Sequence, residues 1–338
     1  VIVLEERFLM FIKVKRGWEI PERLATPEDV FFNRRRFLVT GAAIGAMTAL
    51  SACDEKQEAQ AEADAAAAAP DPSAALYPFK RNETYKLDRD VTDEQWATTY
   101  NNYYEFSSGK RLHEEAQALP IRPWVLTIDG MVGKPMQIGI DDLLKKMPLE
   151  ERLYRHRCVE TWSMAVPWSG FALKELVKLV EPKAEAKYLR LETFMNPEVA
   201  SEQKSPFYPW PYIEGLTIEE ANNDLAFMVT GMYGKPGPKQ NGAPLRLALP
   251  WKYGFKSGKA LVKITFTDQR PVNFWQALQP SEYGFWANVN PEVPHPRWSQ
   301  ATERLLGNDE PRPTLLYNGY AEFVAPLYAN LQDEKLFM

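Results

Sequence analysis

The sequence predicts an α+β fold in which mixed or antiparallel sheets are joined by short helices. Three observations lead there. Strand-type alternation bounded by turn residues recurs after Tyr77, helical periodicity is confined to short segments, and the two do not follow a regular βαβ rhythm. The 27 prolines fall largely between these segments, which suits a rigid, loop-rich domain rather than a helical bundle. A hydrophobic fraction of 45%, including 12% aromatic residues, is ample for a sizeable core.

The elements follow in order. "YNNYYEF", residues 100–106, is a polar-aromatic run ill suited to a simple strand, so it is read as a functional loop. "WVLTIDG" alternates, with Trp124, Leu126 and Ile128 on one face, and ends on the turn pair Asp129-Gly130. Asp141 is read as the N-cap of a short helix through "DDLLKKM". In "FALKELVKLVEP", Leu173, Leu176, Val177 and Val180 share one helical face and Pro182 stops the helix. Further strands are expected at "KYLRLET", "LAFMVT", "PLRLALP" and "KALVKITFTD". In "SPFYPWPYIEG" the aromatic residues suit either core packing or a shallow rim around a site. No internal repeat of useful length is visible.

Ahead of this region the chain has a different character. "NRRRFLVTGAAIGAMTALSACDEK" joins a basic run, Arg34 to Arg36, to a small and apolar stretch too short for a comfortable membrane span. Arg34 and Arg35, followed by Phe37 and Leu38, match the twin-arginine export pattern, and the competing reading is a signal anchor. "LSAC" also has the form of a lipobox, in which Cys53 would be lipidated and hold the protein at the membrane. Residues 1–53 are therefore read as an N-terminal extension with a twin-arginine signal, and residues 54–76 as a low-complexity linker. Residues 77–338 form the folded domain, and the expected location is the periplasm.

Residues 1–53 hold 8 Lys and Arg against 6 Asp and Glu, which leaves the remainder at −7 and argues against nucleic acid as a partner. With only Cys53 and Cys158, the domain rests on its core rather than on disulfides. His113, His156 and His295 lack the spacing of a zinc site, and neither GxGxxG nor GxxxxGK[ST] occurs.

Cys158 lies directly behind Arg155, His156 and Arg157. Cationic neighbours depress a thiol pKa, so a reactive or metal-ligating thiolate is expected, with a buried inert cysteine as the alternative. "QNGAPLRLALPWKYGFKSGKALVKI" places Asn241, Arg246 and a basic glycine-bearing loop with Lys252, Lys256 and Lys259 where they suit gripping a phosphate. Three function classes remain open on the residues alone: a cofactor-dependent redox enzyme, a cysteine-nucleophile enzyme using Cys158 with a distant histidine, and a non-catalytic binding protein.

"YRHRCVETWSMAVPWSGFAL", "NGAPLRL", "PWKYGFK", "YGFWANVNPEVPHPRWSQATERLLG" and "PTLLYNGYAEFVAPLY", in this order, resemble the periplasmic molybdenum-pterin oxidoreductases of the sulfite-oxidase fold over roughly residues 77–338. The resemblance implies a sulfite-oxidase-like molybdopterin-binding fold holding one mononucleotide-type Mo-molybdopterin per chain. Cys158 is then the thiolate ligand of molybdenum. Asn101, Tyr104, Glu105, Thr193, Asn241, Arg246, Ser257, Gly258 and Lys259 match positions that contact the cofactor. Asn102 matches a residue close to the metal's open face, and Glu160 an acidic residue placed for proton handling.

The activity implied is reduction of methionine sulfoxide in oxidised periplasmic proteins by oxygen-atom transfer, a repair reaction. Electrons would come from a haem-containing membrane subunit fed by the quinone pool. The second reading is the same fold acting on another S- or N-oxide. The chain has no CxxCH and only a short segment after about residue 270, which suits a monomeric catalytic subunit without an attached haem module. Two features depart from the family pattern: the lipobox-like "LSAC" and the tripeptide "KSG" at residues 256–258.

Overall fold

The computed structural model describes residues 71–337. The twin-arginine leader, Cys53 and linker residues 54–70 lie outside the described residues. Residues before the expected boundary at Tyr77 also pack on the domain. Asp71 accepts from the Ser73 backbone N–H at 2.8 Å and pairs with Arg122 at 3.2 Å, so the last linker residues already pack on the domain.

In chain order the main elements are α1 (Glu94–Thr99), β1 (Val125–Gly130), β2 (Met136–Gly139), α2 (Ile140–Lys146), β3 (Glu150–Arg157), β4 (Trp162–Ala172), α3 (Leu173–Val180), β5 (Tyr188–Thr193), β6 (Ile213–Thr217), α4 (Ile218–Asn222), β7 (Phe227–Met232), β8 (Lys235–Pro236), β9 (Arg246–Ala248), β10 (Leu261–Thr267), α5 (Phe274–Leu278), β11 (Thr302–Leu305), β12 (Pro311–Pro313) and α6 (Ala321–Tyr328). They build two mixed sheets, as the absence of a βαβ rhythm predicts. One is ordered β2-β1-β10-β5-β6, with only β1 and β10 parallel. The other runs β12-β11-β4-β7-β8, with β3 added on β4 and β9 on β7, and only β11 and β4 parallel.

Strand β4 is the hub of the second sheet. It pairs with β3, β7 and β11, and all its residues are buried, which explains why its sequence runs apolar without alternation. The β4–β7 ladder shifts register between Ser169 and Gly170, a β-bulge in the hub strand's pairing. A side chain at Gly170 would start 2.0 Å from the Met228 carbonyl oxygen, so the bulge needs glycine. In the first sheet, Leu126 and Ile128 of β1 are fully buried as their alternation predicts. Helix α3 buries Leu173, Leu176, Val177 and Val180, and its chain reverses at Glu181, in the left-handed region, just before Pro182. One expectation changes: Gly139, not Asp141, precedes α2, and Asp141 sits in its first turn, where a carboxylate favours the helix N-terminus electrostatically.

Two of the three lysines expected to grip phosphate serve the core instead. Lys252 and Lys256 are buried away from any anion site, paired with Glu220 at 2.5 Å and Glu214 at 2.6 Å. The Lys252 ammonium also donates to the Trp286 carbonyl and to Asn288 Oδ1, both at 2.8 Å. Glu220 closes the capping box of α4 with Thr217 and accepts from the Tyr328 hydroxyl at 2.6 Å. Substitution Lys252→Ala strands this carboxylate in the core. It is expected to lower unfolding free energy by about 3–5 kcal/mol, read as a shifted urea midpoint at unchanged slope. The Lys252→Ala, Glu220→Ala pair is expected to lose less than the two single substitutions summed.

Candidate cofactor site

The residues "CVET" are the loop of the β3–β4 hairpin. The Cys158 backbone N–H donates to the Trp162 carbonyl at 2.9 Å, and the Thr161 N–H donates to the Cys158 carbonyl at 3.0 Å. Thr161 adopts φ 71°, the left-handed conformation that closes so tight a loop. Cys158 is thereby fixed at the end of the hub strand's hairpin, 6% exposed, on the floor of a cavity of about 460 Å³.

Strand alternation decides where the flanking cations go. Arg155 turns away to pair with Asp88 at 2.8 Å and donates to the Asn318 carbonyl at 2.9 Å. Arg157 lies against Glu303 at 3.3 Å and donates to Gln300 at 2.8 Å and to the Cys158 carbonyl. His156, on the opposite face, points into the cavity against Gly254, where a Cβ would sit 2.5 Å from its Nε2. Burial, with Arg246 and Lys259 nearby, pushes the imidazole down to about 3, so it is neutral. Neither arginine therefore faces the sulfur. Contrary to the sequence expectation, burial and the Glu160 charge push the Cys158 thiol up to about 12, and Lys110 and Arg157 offset this only in part.

Glu160 stands beside the sulfur, its Oε2 3.8 Å and its backbone nitrogen 3.5 Å from Sγ. Its carboxylate pairs with Lys110 at 2.8 Å and accepts from Asn102 Nδ2 and Trp162 Nε1, both at 3.3 Å. Burial works to raise this carboxyl, but these donors, Lys110 foremost, hold it below its usual range.

The inner half of the cavity is cationic. Arg246 is buried and donates only to carbonyl oxygens, chiefly that of Asn241 at 2.7 Å. Burial pulls its guanidinium down to about 10, still charged at neutral pH. Lys259 donates to the carbonyls of Asn102 at 2.8 Å and Gln240 at 2.7 Å, and burial with the Arg246 charge lowers its pKa well below the ordinary value. Among the described residues neither cation has a carboxylate within salt-bridge distance. The buried oxygens Asn101 Oδ1, Asn102 Oδ1, Asn241 Oδ1 and Tyr103 OH have no hydrogen-bond partner there.

Two uncompensated cations beside orphaned amides and hydroxyls fit an anionic, hydrogen-bond-rich ligand such as a pterin phosphate. Among the described residues no group of three or more His, Cys, Asp or Glu converges on a metal position. A metal at Cys158 would take its remaining ligands from the cofactor itself, as a dithiolene allows.

Of the residues singled out from sequence, Asn101, Asn102, Tyr104, Glu105, Cys158, Glu160, Asn241, Arg246, Ser257, Gly258 and Lys259 all line this cavity. Thr193 does not. It stands behind the wall and donates to Glu105 Oε1 at 3.1 Å. Lys110, Trp275, Tyr283 and Trp298 also line or serve the site and were not singled out. Alternation along "YRHRC" foreshadowed the direction of His156, whereas the Lys110 to Glu160 pairing spans 50 residues and leaves no local signal.

Residues 113–275 match the family model described as an oxidoreductase molybdopterin binding domain. The chain is 45% identical over 326 residues, 95% of its length and 96% of the relative's, to the protein-methionine-sulfoxide reductase catalytic subunit MsrP of Burkholderia mallei. Among solved structures it is similar to the sulfane dehydrogenase SoxCD of Paracoccus pantotrophus, at 18% identity and a TM-score of 0.43, over 54% of this chain and 45% of that one.

Burial pushes the Glu105 carboxyl up to about 7, partly offset by hydrogen bonds from its own backbone and Thr193 and by the Lys259 charge. An acid with a raised folded pKa adds stability below its unfolded pKa and loses it as pH rises to the folded value. In the cofactor-free chain, Glu105→Gln is expected to remove a pH-dependent loss of up to about 3 kcal/mol between about pH 4.5 and 7. Urea unfolding of both proteins at pH 4.5 and pH 8 measures it.

Proposed function

The chain belongs to the family of protein-methionine-sulfoxide reductase catalytic subunits, and on that footing we propose that it reduces methionine sulfoxide in proteins by molybdenum-dependent oxygen-atom transfer. The observation that carries the proposal is Cys158 itself, a lone thiol on the floor of a cavity whose inner wall holds two buried cations without carboxylate partners. Bound there, one mononucleotide-type Mo-molybdopterin supplies the two-electron chemistry that, with two protons, turns a sulfoxide into a thioether and water.

The chain's own residues hold, orient and protonate. Cys158 Sγ holds the metal. Arg246 and Lys259 would neutralise the cofactor's phosphate, and Asn101, Asn241, Ser257 and Gly258 would meet its polar groups. Thr193 acts one layer back, through Glu105. Glu160 stands beside the sulfur with Asn102 against it, and the Glu160 Oε2 to Lys110 Nζ pair would hold an exchangeable proton there for the reduction.

The cellular setting follows the leader. Arg34 and Arg35 suit export of the already folded, cofactor-loaded protein to the periplasm, with Cys53 as a further tether if lipidated. A haem-containing membrane subunit, MsrQ, supplies electrons from the quinone pool, and oxidised periplasmic proteins are the substrates, so the reaction is one of repair.

Metal analysis of the exported protein is expected to give about one molybdenum per chain together with released pterin. Cys158→Ser is expected to lose the molybdenum and all sulfoxide turnover. A variant that keeps both would remove Cys158 as the ligand. Exported, folded wild-type protein without molybdenum would return Cys158 to a nucleophile or core residue. Faster turnover of another S- or N-oxide than of peptide methionine sulfoxide would overturn the substrate and leave the cofactor reading standing.

A further inference from the structure

Beyond Tyr104, which matches a cofactor-contacting position, the cavity is lined by aromatic rings that cofactor binding does not account for. Tyr104, Trp275 and Tyr283 form a continuous arc of rings, with centroids 4.8 Å and 5.3 Å apart, and Phe255 extends it 5.3 Å from Tyr283. At Tyr104 and at Tyr283 the arc adjoins segments that lead to the residues beside Cys158. Tyr104 is two residues from Asn102. Tyr283 packs 5.5 Å from His295, which stacks on Trp298 at 3.8 Å, and the Trp298 indole N–H donates to the carbonyl of Val159 at 2.8 Å.

The arc is rigidly held. Trp275 sits in the first turn of α5, whose capping box joins Asn273 to Gln276. The preceding Phe274 stacks on Tyr212 at 4.4 Å, and the Asn273 amide donates to the Phe285 carbonyl at 3.0 Å. Asn102 and Glu160 line the same cavity as these rings, and the Glu160 carboxylate beside Cys158 holds both Asn102 Nδ2 and Lys110 Nζ.

We infer that this arc is the substrate subsite, with Trp275 its specificity-determining residue, and that it holds the methyl-sulfinyl end of a methionine sulfoxide side chain. The inference rests on the proposed function and supplies its substrate contacts. A sulfoxide carries positive charge on sulfur and negative charge on oxygen. The electron-rich ring faces attract the methyl and sulfur, while the Lys110 ammonium and the Asn102 amide attract the oxygen, so the S–O bond is drawn toward the Cys158 side of the cavity. The thioether product lacks this dipole and keeps only the ring contacts, which favours its release. Rings fixed before binding also cost little ordering on association.

The test uses molybdenum-loaded wild type, Trp275→Ala, Trp275→Phe and Tyr283→Ala, each checked for molybdenum content. Two quantities are read: KM and kcat for a peptide containing methionine sulfoxide, and the dissociation constant of the same peptide carrying methionine sulfone. Trp275→Ala is expected to raise both KM and the dissociation constant about tenfold while kcat stays within about threefold, and Trp275→Phe to restore most of the affinity. Tyr283→Ala is expected to act in the same direction. If both alanine variants keep wild-type KM and sulfone affinity with full molybdenum content, the subsite is wrong and the reductase reading survives. If the wild-type holoenzyme neither binds the sulfone peptide nor turns over the sulfoxide, the reductase reading fails and this assignment with it.

Discussion

Two positive charges buried without carboxylate partners are the constraint around which this site is organised. Elsewhere the domain pairs its buried cations closely: Lys252 with Glu220, Lys256 with Glu214, and Arg89 and Arg157 with Glu303. Arg246 and Lys259 break that rule at one cavity, and the neighbouring carboxyl, Glu105, is itself pushed toward its neutral form. Charges left uncompensated inside a protein are costly, so a fold that keeps two of them together needs an anion to complete it. The orphaned amide oxygens beside them extend the same requirement to hydrogen bonding.

The sheet architecture serves this cavity from several directions. β4 ties three strands together, and its hairpin with β3 carries Cys158 to the cavity floor. β9 delivers Arg246, and the loop ahead of β10 delivers Ser257, Gly258 and Lys259. The loop before β1 brings Asn101, Asn102, Tyr104 and Glu105 to the opposite wall. A site assembled from so many elements is rigid when the core is intact, which suits a large cofactor whose position sets the reaction geometry.

The cavity also divides by polarity. Its inner half is cationic and hydrogen-bonding, its floor holds one thiol and one ion pair, and its outer half is aromatic. The division matches a charged cofactor on one side and an amphipathic side chain on the other. It also explains why the aromatic stretch at 205–215 splits in the fold: Tyr212 is buried against the cavity, whereas Phe207, at 66% exposure, faces solvent.

Much of this was legible in the chain. Alternation and helical spacing are local properties, so β1, β5, β10 and the buried face of α3 follow from neighbouring residues alone. Eleven of the twelve residues singled out for the site line one cavity, and they were legible through the motifs that carry the family resemblance. What the sequence could not decide were pairings between distant segments. Thr193 acts through Glu105, Lys252 and Lys256 spend their charges in the core, and Arg155 and Arg157 turn from the sulfur because Asp88 and Glu303 lie elsewhere in the fold. The thiol environment is the plainest case. Adjacency in sequence suggested cationic activation, but burial and strand alternation, both consequences of tertiary packing, determine what the sulfur meets.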